Sequence, residues 1–108
     1  MPDPFRSSRD VIIRTSKFED ALHFYSNVLK LPGGFETPLL ARFETGAFRL
    51  FVERGEDSGP VFELLVPDVS LAKEALLANG GRVIEEDPAV PRCYIEDPFG
   101  LTYNLRTA

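Results

Sequence analysis

The order of elements in this chain repeats, and that repeat limits its fold more than any other feature. Val11-Ile12-Ile13 is a β-branched run leading through Arg14 and Thr15 into a polar turn, a helical pattern and a stop at Pro32-Gly33-Gly34. Val61 to Val66 is a second apolar run, leading through Pro67-Asp68 into a second helical pattern and a stop at Asn79-Gly80-Gly81. Thr15 and Val66 hold the same place in the two halves, an offset of 51 residues. A strand–helix–strands unit cannot cover its own sheet, so two such units are expected to pair.

The rest of each half reads as strands. Leu39 to Phe43 and Ala47 to Val52 flank a Glu44-Thr45-Gly46 turn; Arg82 to Ile84, Arg92 to Ile95 and Leu101 to Arg106 come after the second helix. Asp97-Pro98-Phe99-Gly100 has type I turn chemistry. Residues up to about Asp10 read as a polar arm. Ser16 and Glu19 fit a capping box for the first helix, whose apolar face is Phe18, Leu22, Tyr25 and Leu29. Ser70 is expected to cap the second helix, from about Leu71 to Ala78. The fold class is therefore α+β, as two βαβββ modules. Module 1 spans about 10–54, a polar connector 55–60 and module 2 about 61–108, within a single domain.

Charge and length bound the partners. Lys plus Arg number 12 against 17 Asp plus Glu, a formal charge of −5. An acidic surface does not suit a nucleic-acid binder, which needs basic patches to displace counterions. No apolar run approaches the ~20 residues that span a bilayer, and Met1-Pro2-Asp3-Pro4-Phe5 has none of the marks of a signal peptide. The single cysteine, Cys93, excludes an intrachain disulfide and a CxxC site. The expected location is cytoplasmic, with no membrane and no nucleic-acid partner.

Two stretches carry a resemblance. Phe18-Glu19-Asp20-Ala21-Leu22-His23-Phe24-Tyr25-Ser26-Asn27-Val28-Leu29 resembles the opening signature of the glyoxalase, bleomycin-resistance and extradiol-dioxygenase (vicinal oxygen chelate) superfamily. Asp97-Pro98-Phe99-Gly100-Leu101-Thr102-Tyr103-Asn104-Leu105 resembles its closing signature. The resemblance covers roughly residues 10–106. It implies curved mixed sheets closing around a cavity, and commonly a homodimer. Its metal-dependent members place a His or Gln on the first strand of each module and a Glu on the last. In this chain those positions fall on Asp10, Val61, Asn104 and either Leu50 or Phe51. Valine has no side-chain donor, and a neutral amide is a weak ligand for transition metals. No metal site and no cofactor are expected.

Other residues stand out on their own chemistry. Strand alternation groups Asp10, Ile12 and Arg14 on one face, Val61, Glu63 and Leu65 on another, and Thr102, Asn104 and Arg106 on a third. Arg14 also matches, by resemblance, a glyoxalase arginine that meets an anionic substrate group. Glu63 is the one charge in an apolar strand, so it either lines a polar cavity or lies at an edge. His23 falls on the outer side of its helix. The loop Asp87-Pro88-Ala89-Val90-Pro91 is proline-stiffened and reads as a lid or a plain connector.

The leading expectation is a small-molecule binding protein resembling bleomycin-resistance proteins, with Asp10, Ile12, Arg14, Val61, Glu63, Thr102 and Asn104 lining the ligand site. Two alternatives belong to another class. A metal-independent lyase or isomerase would use Glu63 as base and Arg14 to stabilise the oxyanion. A metalloenzyme would require a different ligand register.

Overall fold

The computed structural model describes residues 5–107. Met1–Pro4, within the expected arm and the leader reading, and Ala108 lie outside the described residues. Eight strands and two helices run in the order β1 (Arg6–Thr15), α1 (Phe18–His23), β2 (Gly33–Thr37), β3 (Leu40–Glu44), β4 (Arg49–Arg54), β5 (Ser58–Val66), α2 (Val69–Ala78), β6 (Arg82–Asp87), β7 (Arg92–Glu96) and β8 (Thr102–Thr107). The class is α+β, with the βαβββ order present twice. Two compact units divide the chain: Arg9–Pro60, and residues from Val61 onward together with Phe5–Ser8.

In the first unit the strand order is β2-β3-β4-β1. β4 runs parallel to β1 and antiparallel to β3. Helix α1 covers one face of this sheet. Phe18 of the helix and Ala41, Phe43, Leu50 and Val52 of the sheet are buried between them, joined by Ile13, Leu22, Tyr25 and Leu31. The Tyr25 and Phe43 rings meet at 5.6 Å. The helical pattern holds only as far as Tyr25. A π-helical turn occupies Phe24–Val28, where the Leu29 N–H donates to the Phe24 carbonyl five residues back. The extra residue rotates the chain beyond this turn, so Leu29 is left half-exposed and Leu31 takes the core position instead.

The capping box is corrected. Lys17 is the N-cap of α1 and its side chain makes no capping bond. Ser16 is turned the other way: its N–H and hydroxyl both donate to Asp57, at 2.8 and 3.1 Å. Glu19 pairs with Arg54 at 2.6 Å. These long-range charged partners outcompete a local cap.

The second unit has the order β5-β8-β7-β6, with β5 and β8 parallel and the rest antiparallel. Val66, Ala72, Cys93, Ile95, Tyr103 and Leu105 form its core under α2, with Phe5, Leu64, Val69 and Leu76 packed against them. The cap of α2 lies two residues earlier than Ser70. Asp68, in extended conformation, accepts the Leu71 N–H at 3.0 Å, because a carboxylate there reaches the third helical amide. At the other end Gly81 N–H donates to the Leu76 carbonyl at 2.8 Å, and Gly80 takes the left-handed conformation (φ 98°) that this closure requires.

Two further boundaries differ from the sequence reading. β1 begins at Arg6, so Asp10 lies inside a strand and not at a frayed end. Gly33–Thr37, read from its glycines as part of the helix stop, forms edge strand β2 against β3.

Candidate functional site

In each module the face opposite the helix carries the unusual chemistry. Residues paired across strands share a face, so the sheet register arranges these side chains into rows.

The second module has one row that crosses all four strands. Glu63 on β5 is paired with Asn104 on β8, Asn104 with Tyr94 on β7, and Tyr94 with Glu85 on β6. Glu63 and Asn104 are each only 6% exposed and are the two polar residues buried among the described residues; Tyr94 is 5% exposed. Val61, also buried, and half-buried Thr102 flank the row.

Asn104 is held in one orientation. Its Oδ1 accepts the backbone N–H of Cys93 at 2.8 Å, so its Nδ2 faces Glu63 and donates to Oε2 at 3.3 Å. The other carboxylate oxygen, Oε1, is buried and accepts no hydrogen bond among the described residues. Arg106 brings Nη2 to 3.0 Å from it. That approach places a charge beside the oxygen without the alignment of a hydrogen bond. Glu63 is therefore a buried, charge-neutralised carboxylate with one acceptor still to satisfy. Beyond it, Arg92 lies over the Tyr94 ring at 5.3 Å and pairs with Glu85 at 2.8 Å.

The first module carries a different face. Asp10 is paired in register with Arg49, Ile12 with Phe51 and Arg14 with Glu53. The outer two pairs are ion pairs, each with N···O of 2.7 Å. Half-buried Ile12 and Phe51 make an apolar step between them. The register also settles the position left open between Leu50 and Phe51. Ile12 and Glu63 are 51 residues apart, their β4 and β8 partners are Phe51 and Asn104, and Leu50 is buried on the helix side.

The structure thus groups the candidate residues by module. Asp10, Ile12 and Arg14 share one face, and Val61, Glu63, Thr102 and Asn104 share another. Arg14 and Glu63 each meet a counter-charge inside their own module: Glu53 for Arg14, Arg106 for Glu63. The sequence reading placed Arg106 beside Thr102 and Asn104 but gave it no site role. Alternation groups such residues without saying which face the helix covers.

The metal implied by the resemblance does not fit these residues. Its first-module positions are Asp10, bound to Arg49, and Phe51, which has no donor atom. In the second module they are Val61, also without one, and Asn104, whose sole metal-capable atom accepts the Cys93 amide. Among the described residues there is no group of three or more His, Cys, Asp or Glu able to hold a metal ion. His23 is exposed on α1, with its Nδ1 2.9 Å from the Asn27 amide.

No protein-family model matches the chain, and no curated protein matches it in sequence. Solved structures do. A hypothetical protein of Bacillus halodurans C-125 superposes with a TM-score of 0.67 at 16% identity, covering 98% of this chain and 96% of that one. Homoprotocatechuate 2,3-dioxygenase from B. fuscum superposes with a TM-score of 0.63 at 18% identity, covering 98% of this chain. A complex of the Brevibacterium fuscum enzyme with 3,4-dihydroxyphenylacetate gives 0.61 at 19% identity. The fold is the vicinal-oxygen-chelate fold. This chain spans about a third of the dioxygenase, 33% of its length, and at these identities the likeness extends to fold alone. Function has to come from the site residues.

Proposed function

We infer that this chain is a small-molecule binding protein, similar in role to bleomycin-resistance proteins, that works without a bound metal. The ligand lies against the helix-free face of the second module and donates an N–H or O–H to Glu63. The observation that carries this reading is the buried Glu63 Oε1, which meets the Arg106 charge at 3.0 Å but accepts no aligned hydrogen bond among the described residues. A ligand donor would add the aligned hydrogen bond that this oxygen lacks. Asn104 and Arg106 hold the carboxylate in place, while Tyr94 and Val61 offer apolar contact. Binding pockets combine apolar walls with a few fixed polar groups in this way.

Binding fits better than proton abstraction by Glu63. A guanidinium at 3.0 Å makes the carboxylate a fixed acceptor, and Arg14, the oxyanion partner of the enzymatic alternative, is engaged by Glu53. In this reading the protein works as a homodimer. Supporting that, the strand β2 at the end of the sheet order presents Phe35 to solvent, and such edges invite cover.

The test pairs metal analysis with a thermal-shift screen. Protein purified without chelators is expected to hold no stoichiometric metal, and Zn²⁺, Ni²⁺, Mn²⁺ and Fe²⁺ should not raise its Tm. Amine- and phenol-bearing compounds should include stabilising ligands, since whatever binds the native state raises Tm. Those ligands should lose their effect in Glu63→Leu. One metal per chain with a matching rise in Tm, or ligands indifferent to Glu63→Leu, would overturn the reading. Sedimentation velocity tests the dimer.

A further inference from the structure

A second binding site is built into the sheet end beside α2. We propose that the cavity there, of about 330 Å³, takes a small molecule with an apolar body and a carboxylate, such as an aromatic monocarboxylic acid. Its volume lies at the lower end of the range for small-molecule pockets, roughly 300–1,000 Å³.

The walls are apolar. Val69 opens α2, Leu105 and Cys93 come from β8 and β7, and Pro88 and Pro91 close the space from the β6–β7 loop. That loop is the proline-stiffened segment singled out in the sequence. A wall of rigid prolines holds its shape with little entropy left to lose on binding. Val69, Leu105 and Cys93 belong to the helix-side core, so this cavity is distinct from the face around Glu63, and Arg92 and Arg106 reach both.

The cavity offers an anion guanidinium N–H donors, from Arg92, which also pairs with Glu85, and from Arg106. Glu86 lines it as well. Lys73 holds both Glu86 oxygens at 2.8 Å, which cancels the opposing charge. Arg106 meets Glu63 through Nη2. A guanidinium has five N–H donors in a planar fork that matches a carboxylate, so its remaining edge can hold the ligand while the contact to Glu63 persists.

The experiment is an amide-resolved NMR titration of the full chain with benzoate, and with benzamide as its neutral counterpart. Saturable shifts are expected at Val69, Cys93, Leu105 and Thr107, with benzoate binding about tenfold or more tightly, the value of a charge-assisted hydrogen bond. Arg106→Gln should abolish that preference. Thr107→Trp and Pro91→Trp, both at exposed positions, should fill the mouth and remove binding of both compounds. Amide dispersion in the same spectra confirms that each variant is folded. Absence of saturable shifts, shifts confined to other residues, or a benzoate preference that survives Arg106→Gln would overturn the proposal. The titration of the unsubstituted chain, in which Glu63 and Arg106 are both present, separates the two readings: absence of shifts there leaves the reading of the Glu63 face standing, and ligands indifferent to Glu63→Leu leave this one.

Discussion

Replacing Asn104 by Asp tests the electrostatics of the Glu63 row with a change of almost no volume. The Cys93 amide keeps its acceptor, since the carboxylate can still receive it. What changes is the group facing Glu63. A donor 3.3 Å from Oε2 becomes a second carboxylate. Two like charges at that separation repel by about 5 kcal/mol at an effective dielectric near 20. The nearby Arg106 offsets part of this, leaving an expected loss of about 2–4 kcal/mol at pH 7.5. Glu63→Gln in the same chain restores a donor–acceptor pair with its polarity reversed, and should return most of the loss. Urea unfolding of the four proteins of this cycle measures the coupling directly. A loss under about 0.5 kcal/mol, or a double variant no better than the sum of the singles, would refute the buried, oriented Glu63–Asn104 pair.

Gly33→Ala should be among the most damaging single-methyl additions: a Cβ there would lie 2.0 Å from the Arg42 carbonyl oxygen at φ 137°. Thermal unfolding should show a loss of about 2–4 kcal/mol. Asp68→Ala removes the cap of α2 and should cost about 1 kcal/mol, read by urea midpoint at constant m-value. Asp57 is held below the usual carboxylate range, first by the Ser16 backbone N–H and then by its hydroxyl. Its stabilisation is thus complete above the unfolded value and lost as pH falls through the folded one. Asp57→Asn should flatten the acid limb of the pH–Tm curve, and an unchanged limb would count against the contact. Burial, and then the Glu86 charge, push the Cys93 thiol up from its ordinary value of 9.0. Native Cys93 should therefore alkylate far more slowly at pH 8 than the urea-unfolded chain, and equal rates would contradict its burial.

Much of the fold was legible because it rests on local rules. β-branched runs, glycine stops and the 51-residue repeat place both helices and most strands within a few residues. Legibility failed where a distant partner competed. Ser16 has the chemistry of a cap, yet Asp57, remote in sequence, takes both of its donors. Leu29 continues the helical period, yet a π turn breaks the phase before it. β2 was hidden by its two glycines, which weaken a strand signal, while Gly33 allows close approach to β3.

For the candidate site the division is similar. Residue types alone show that Val61, Asn104 and Phe51 are poor partners for a metal, and alternation alone groups Glu63 with Val61. Neither reveals which face the helix covers, because period two is blind to what lies above a sheet. Only the folded register puts Glu63 opposite Asn104, and only the Cys93 amide fixes which end of that side chain Glu63 meets. The cavity beside α2 joins residues from Val69 to Thr107 across a helix start, a loop and three strand ends. A pocket of that kind depends on distances between segments, which a linear pattern does not contain.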